Sequence, residues 1–155
     1  MTHYRHSLVV RATPAAAYAA LATPEGLRGW WTEDCDVPTR VGETIHFRFG
    51  RNHKDFRIER LVPNGEVAWH CTGCHMAAPH LSRRDEWVGT DIVFRLTSEG
   101  EGRTRIDFEH IGLVPELECF ELCNRGWNYF MPSLQQFLET GRGTPFEKAA
   151  QAAVQ

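Results

Sequence analysis

Hydrophobic positions along the chain change their period several times, and each change marks an element. Residues 4–11 alternate, with Tyr4, His6, Leu8 and Val10 on one side and Arg5, Ser7, Val9 and Arg11 on the other. That spacing predicts a strand with one buried face. The alanine-rich TPAAAYAALAT then opens with Thr13 as N-cap and Pro14 at the first helical position, and TPEGLRGWWT repeats the logic with Thr23, Pro24 and Glu25. Two short helices in tandem are therefore expected, the second ending on Trp30 and Trp31.

A period of two follows. Ile45, Phe47 and Phe49 oppose Thr44, His46 and Arg48, and Phe56 and Ile58 continue in register. After an Asn64-Gly65 turn, Val67, Trp69 and Cys71 alternate with Ala68 and His70. A hairpin is expected next, with Ile92, Phe94 and Leu96 facing in on one strand, Ile106, Phe108 and His110 on the other, and Gly100-Glu101-Gly102 at the turn. Strands joined by tight turns form an antiparallel meander, and polar outer positions leave one face to be covered. From about Pro115 the period returns to 3.6. Phe120, Cys123, Trp127, Phe130 or Met131, Leu134, and Phe137 or Leu138 make one stripe that ends at Gly141. Pro132 lies inside this helix and predicts a kink near Asn128 to Met131.

The order describes an α+β domain: strand, two short helices, a run of antiparallel strands, one long helix. Six to seven strands with one apolar face and a single amphipathic helix to cover it must curl around that helix. Such a sheet leaves an elongated apolar cavity between itself and the helix. Residues 1–146 are expected to form this one domain, with 147–155 a fraying tail.

Composition narrows the function. The net charge is −3 and the basic residues are scattered, which excludes a nucleic-acid surface. No apolar run approaches the roughly 18 residues of a membrane span, and the N-terminal MTHYRHSLVV has no signal-peptide core, so a cytoplasmic location is expected. Five cysteines, an odd number, argue against a disulfide framework. Two of them stand in WHCTGCH, a Cys-x-x-Cys-His pattern that fits haem attachment, zinc or redox work. Haem attachment would need an exported chain, and no second Cys-x-x-Cys completes a zinc ribbon. No cofactor or metal is expected; Cys71, Cys74 and His75 come nearest to a ligand set, with Cys74 and His75 placed in a loop beyond the strand. No nucleophile elbow, phosphate loop or HExxH motif is present.

The ordered set VVRATPAAAYAALATPEGLRGWWT, VGETIHFRF, FRIERLVPNGEVAW, TDIVFRLTSEGEGRTRIDFEHIGL and CNRGWNYFMPSLQQFLETG resembles the START-like (SRPBCC) superfamily, and within it the activator of heat-shock-protein ATPase homologue-like family. The likeness spans roughly residues 6 to 146. It implies a helix-grip fold, a curved antiparallel sheet wrapped around the long C-terminal helix, with a hydrophobic or aromatic small molecule as occupant of the cavity. In such folds the cavity lies between the sheet centre and the last helix, which points to Trp31, Trp69, Phe94, His110, Trp127 and Met131 as ligand-binding residues. The superfamily also includes enzymes of the cyclase, dehydratase and hydrolase kind. His110, which continues the inward parity of Ile106 and Phe108, is the candidate for catalysis. A third role is a co-chaperone-like interaction module with a heat-shock ATPase as partner, and a homodimer is a further expectation.

Overall fold

A computed structural model describes residues 3–147. Its elements are β1 (Tyr4–Val10), α1 (Pro14–Ala22), α2 (Pro24–Trp30), β2 (Asp34–Asp36), β3 (Thr44–Phe49), β4 (Asn52–Val62), β5 (Glu66–His75), β6 (Asp91–Ser98), β7 (Thr104–Ile111) and α3 (Phe120–Thr140). All seven strands form one antiparallel curved sheet in the order β1-β7-β6-β5-β4-β3-β2. The strands β2 to β7 are a meander, and β1 closes on its far edge, placing Tyr4 beside His110 and Leu8 beside Ile106. The helix-grip architecture is what forms. Trp127, Met131 and Leu134 of α3 share one apolar core with the inward residues of the sheet.

The two short helices begin as their sequences dictate. Thr13 accepts the Ala16 N–H at 3.1 Å, and Thr23 accepts the Gly26 N–H at 3.0 Å, so each cap satisfies a backbone donor left free at the helix start. Thr23 also donates to the Ala19 carbonyl at 2.7 Å, and the Trp30 indole N–H donates to the Ala20 carbonyl at 2.8 Å. These bonds pull α2 onto the end of α1. Small side chains on both helices permit the approach.

Three local expectations are corrected. The strand after the Asn64-Gly65 turn does not end at Cys71. It runs to His75, pairing Cys74 with Lys54 and His75 with His53, so Cys74 and His75 stand on the sheet and not in a loop. A three-residue strand, β2, pairs with β3; it is too short for alternation to reveal it. The last helix starts at Phe120 instead of near Pro115, because 115–119 are spent in turns. It then runs unbroken through Pro132, which faces solvent, where water can reach the carbonyl left without its N–H partner.

Glu86 and Glu118 tie the start of α3 to the segment 76–90. The Glu86 carboxylate accepts the Cys119 N–H at 2.9 Å and the Glu118 N–H at 3.3 Å, where α3 has no side-chain cap of its own. The Glu118 carboxylate in turn accepts the N–H groups of Ser82 and Arg83 at 2.7 and 2.9 Å. Glu147 is the last described residue, so the remainder of the expected tail lies outside the described residues. No described helix is long and apolar enough to cross a membrane.

Candidate functional site

A cavity of about 360 Å³ lies between α3, the β3–β4 side of the sheet and the segment 76–90. Cys123, Gly126, Trp127 and Phe130 of α3 form one wall. Phe49 of β3 with Asn52 and Lys54 of β4 form the wall opposite. Trp31, at the end of α2, and Trp87, next to Glu86, line it as well, with Met76 and Leu122. The C-terminal stretch brings Phe146 to the rim by exchanging backbone bonds with Trp31 and Glu33, at 2.9 and 3.0 Å.

Aromatic side chains dominate these walls. Trp127 stacks between Trp31, with ring centroids 5.1 Å apart, and Trp87, 5.8 Å away and 13° from parallel. Trp31 also stacks on Trp30 and Trp69, so all five indoles form one connected array. Rings in contact at these spacings hold each other in place and gain more than their buried area alone supplies.

The β4–β5 pairing decides which side chains reach the cavity. Phe56 pairs with Cys71, but Asp55 pairs with Gly73, so Thr72 is an extra residue bulged out of β5. The bulge turns Cys71 and Cys74, three apart, to the same inner face. His75 falls on the other face, stacked on His53. The three residues nearest to a metal set are thereby separated, and among the described residues no three His, Cys, Asp or Glu side chains come together as a ligand group. Burial pushes the Cys71 thiol up to about 12, and it raises Cys74 as well, with the Lys54 charge opposing in both cases. Both are neutral thiols at physiological pH. Cys123, on the cavity wall, accepts the Trp87 indole N–H at 3.1 Å. The adjoining Cys119 holds it below the ordinary thiol value against the effect of burial.

Lys54 was not among the residues picked out from the sequence. It lies two before Phe56 on the inner face of β4, and its ammonium sits 4.6 Å from the Trp87 ring centroid and 5.1 Å from that of Phe49. Parity counted back from Phe56 marks it as inward. The alternation read from Phe56 and Ile58 alone does not extend far enough back to include it.

His110 is fully buried with both ring nitrogens engaged. The Trp127 indole N–H, which can only donate, gives to Nδ1 at 3.1 Å, so the ring proton resides on Nε2. That N–H donates to the Thr90 hydroxyl at 2.9 Å, and the hydroxyl donates to the Trp87 carbonyl at 2.6 Å. Burial, with a smaller contribution from the Lys54 charge, pushes His110 down to about 3. The ring is a neutral brace behind Trp127 and Trp87. Both of its nitrogens are engaged inside the core, and burial lowers its basicity.

Of the six residues named for ligand contact, Trp31 and Trp127 line the cavity. Trp69, Phe94, His110 and Met131 pack in the core behind that wall. Phe130 and Met131, left as alternatives by the helical period, divide the work: Met131 is buried and Phe130 faces the cavity.

Comparison with known proteins sets this geometry in a family. The model for "Activator of Hsp90 ATPase homolog 1-like protein" matches residues 11–139. Among solved structures, the Aha1 dimer from Colwellia psychrerythraea is 35% identical, with a TM-score of 0.76, over 92% of this chain and 100% of that one. A Staphylococcus saprophyticus protein (18% identical, TM-score 0.68, 92% and 96% covered) and a Mesorhizobium loti protein (19%, 0.69, 87% and 96%) share the fold alone. No curated protein matches the sequence. The chain belongs to the Activator of Hsp90 ATPase homolog 1-like family.

Proposed function

We propose that the protein binds a hydrophobic or aromatic small molecule in the cavity between its sheet and α3. The observation that carries this reading is Gly126. It lies inside a helix, where glycine costs about 1 kcal/mol relative to alanine, yet a Cβ built on it meets nothing within 4 Å. Packing does not require glycine there. What its lack of a side chain preserves is the open volume of the cavity. A volume of that size, lined by aromatic side chains with few polar groups, is typical of small-molecule sites.

Gly126→Leu is the direct test. Its side chain enters the cavity while relieving the helix of its glycine, so the variant is expected to be as stable as the parent or more so by about 0.5–1 kcal/mol. Saturable uptake of the neutral fluorophore N-phenyl-1-naphthylamine by the wild type should disappear in the variant. Equal uptake by both proteins, or none by the wild type, would remove the proposal.

His110 gives no support to an acid–base enzyme, so binding without turnover is the preferred reading. The family description favours a second role, an interaction with a heat-shock ATPase. The Colwellia relative is described as a dimer, and we extend self-association to this chain; sedimentation of the full chain showing only monomer at micromolar concentration would exclude it. Five free thiols, four of them buried, suit a reducing compartment and support the cytoplasmic assignment.

A further inference from the structure

We infer that the occupant of the cavity is an amphipathic monoanion, a planar aromatic acid whose carboxylate is received by Lys54. The inference rests on the binding role proposed above and specifies its ligand class. Among the described residues no carboxylate lies within ion-pair distance of the Lys54 ammonium, and no hydrogen bond is made by it. Its neighbours are two aromatic faces, Trp87 and Phe49. Cation–π contacts hold a cation in position without neutralising it. Three N–H donors are thus presented at the wall of an apolar cavity with no acceptor among the described residues.

A second donor stands beside it. Asn52 lines the same cavity, two residues away on the same face of β4 and about 7 Å distant along the strand. Its side-chain oxygen is occupied by the Ala77 N–H at 2.6 Å, which turns its amide N–H₂ to the other side. That group makes only a long 3.4 Å bond to the Phe49 carbonyl and retains a further N–H. One cation with one neutral donor matches a single carboxylate. A phosphate dianion is recognised by clusters of cations, and the cavity wall has only Lys54 among its described residues. The body of the ligand is set by Trp31, Trp127 and Phe130, an aromatic lining that favours an apolar ring system. Because the chain carries a net charge of −3, its overall field repels anions, and the preference must come from this one local charge.

The test uses a pair of compounds of equal shape, 2-naphthoate and 2-naphthamide, titrated calorimetrically into the full chain near neutral pH. Charged hydrogen bonds at such sites are worth about a tenfold difference in affinity or more. Wild type should bind the acid about tenfold tighter than the amide. Lys54→Met, which keeps the apolar stem, should lose that preference, and Lys54→Arg should keep it. If both compounds bind and the preference is absent, or survives in Lys54→Met, the anion assignment is overturned while the cavity proposal stands. If neither compound binds saturably, the anion assignment is overturned, and the cavity proposal stands or falls on uptake of N-phenyl-1-naphthylamine.

Discussion

Acidification below about pH 6.5 is expected to weaken the fold by up to about 1.4 kcal/mol per pH unit from His110 alone, and His110→Gln is expected to remove most of the slope. In the folded protein His110 is held at about 3, whereas in the unfolded chain it returns to about 6.5. Between those values the unfolded chain takes up a proton that the folded chain refuses. The stability is therefore fully present above pH 6.5 and drains away as the pH falls toward 3. His6, lowered by its own partial burial, acts in the same direction. Carboxylates held below their ordinary values, such as Glu109 beside Arg95 and His3, also lose stability on acidification, but only below about pH 4.5. The window from 6.5 to 5 thus isolates the histidines. Urea midpoints measured across it should fall steeply for wild type and for His6→Gln, and markedly less for His110→Gln. The same variant should be about 1–3 kcal/mol less stable at neutral pH, since the Trp127 N–H and the Thr90 hydroxyl lose a fitted partner. Parallel slopes in wild type and His110→Gln would refute the neutral-brace assignment.

Gly26→Ala should cost about 3 kcal/mol, lowering the melting temperature by roughly 10 °C for a chain of this size. A methyl at residue 26 would sit 2.3 Å from the Ala19 carbonyl oxygen and 2.5 Å from the Ala20 Cα. Both atoms are backbone, so no rotamer change relieves the overlap. The helices α1 and α2 must part, and parting them breaks the Trp30–Ala20 bond and the Thr23–Ala19 bond together. Since Trp31 directly follows α2 and lines the cavity, binding should weaken as well. The contrast with Gly126→Leu is the informative part: the same loss of glycine destabilises where backbones touch and stabilises where space is open. Thermal unfolding of the two variants side by side gives the comparison, and a Gly26→Ala protein as stable as wild type would contradict the close approach.

Most of the fold was legible because burial and period coincide. The inward residues of β1, β3, β6 and β7 alternate as their sequences do, and the Thr-Pro steps cap the helices they announce. The site was less legible, and β5 shows why. Alternation read through Cys71 has no way to register an inserted Thr72, yet that one residue decides which of Cys74 and His75 meets the interior. Lys54 was missed for a related reason: a lysine in a polar run, Arg51 to Asp55, looks like a turn unless the strand is extended back to Asn52. His110 was located correctly as an inward residue, but its role depended on Thr90 and Trp127, which are distant in the chain and invisible to periodicity. Trp69 and Phe94 follow from a cavity expected at the sheet centre, whereas it lies toward β3 and β4, and a packed interior and a lined cavity use the same aromatic residues.

The connected array of indoles has an optical consequence. Chromophores this close exchange excitation, so near-ultraviolet circular dichroism should contain a coupled band and not five independent contributions. Three of the five border the cavity, and a guest entering there would perturb the shared transition. The protein in effect carries its own unlabelled reporter of occupancy, ready for screening candidate aromatic acids in dilute solution.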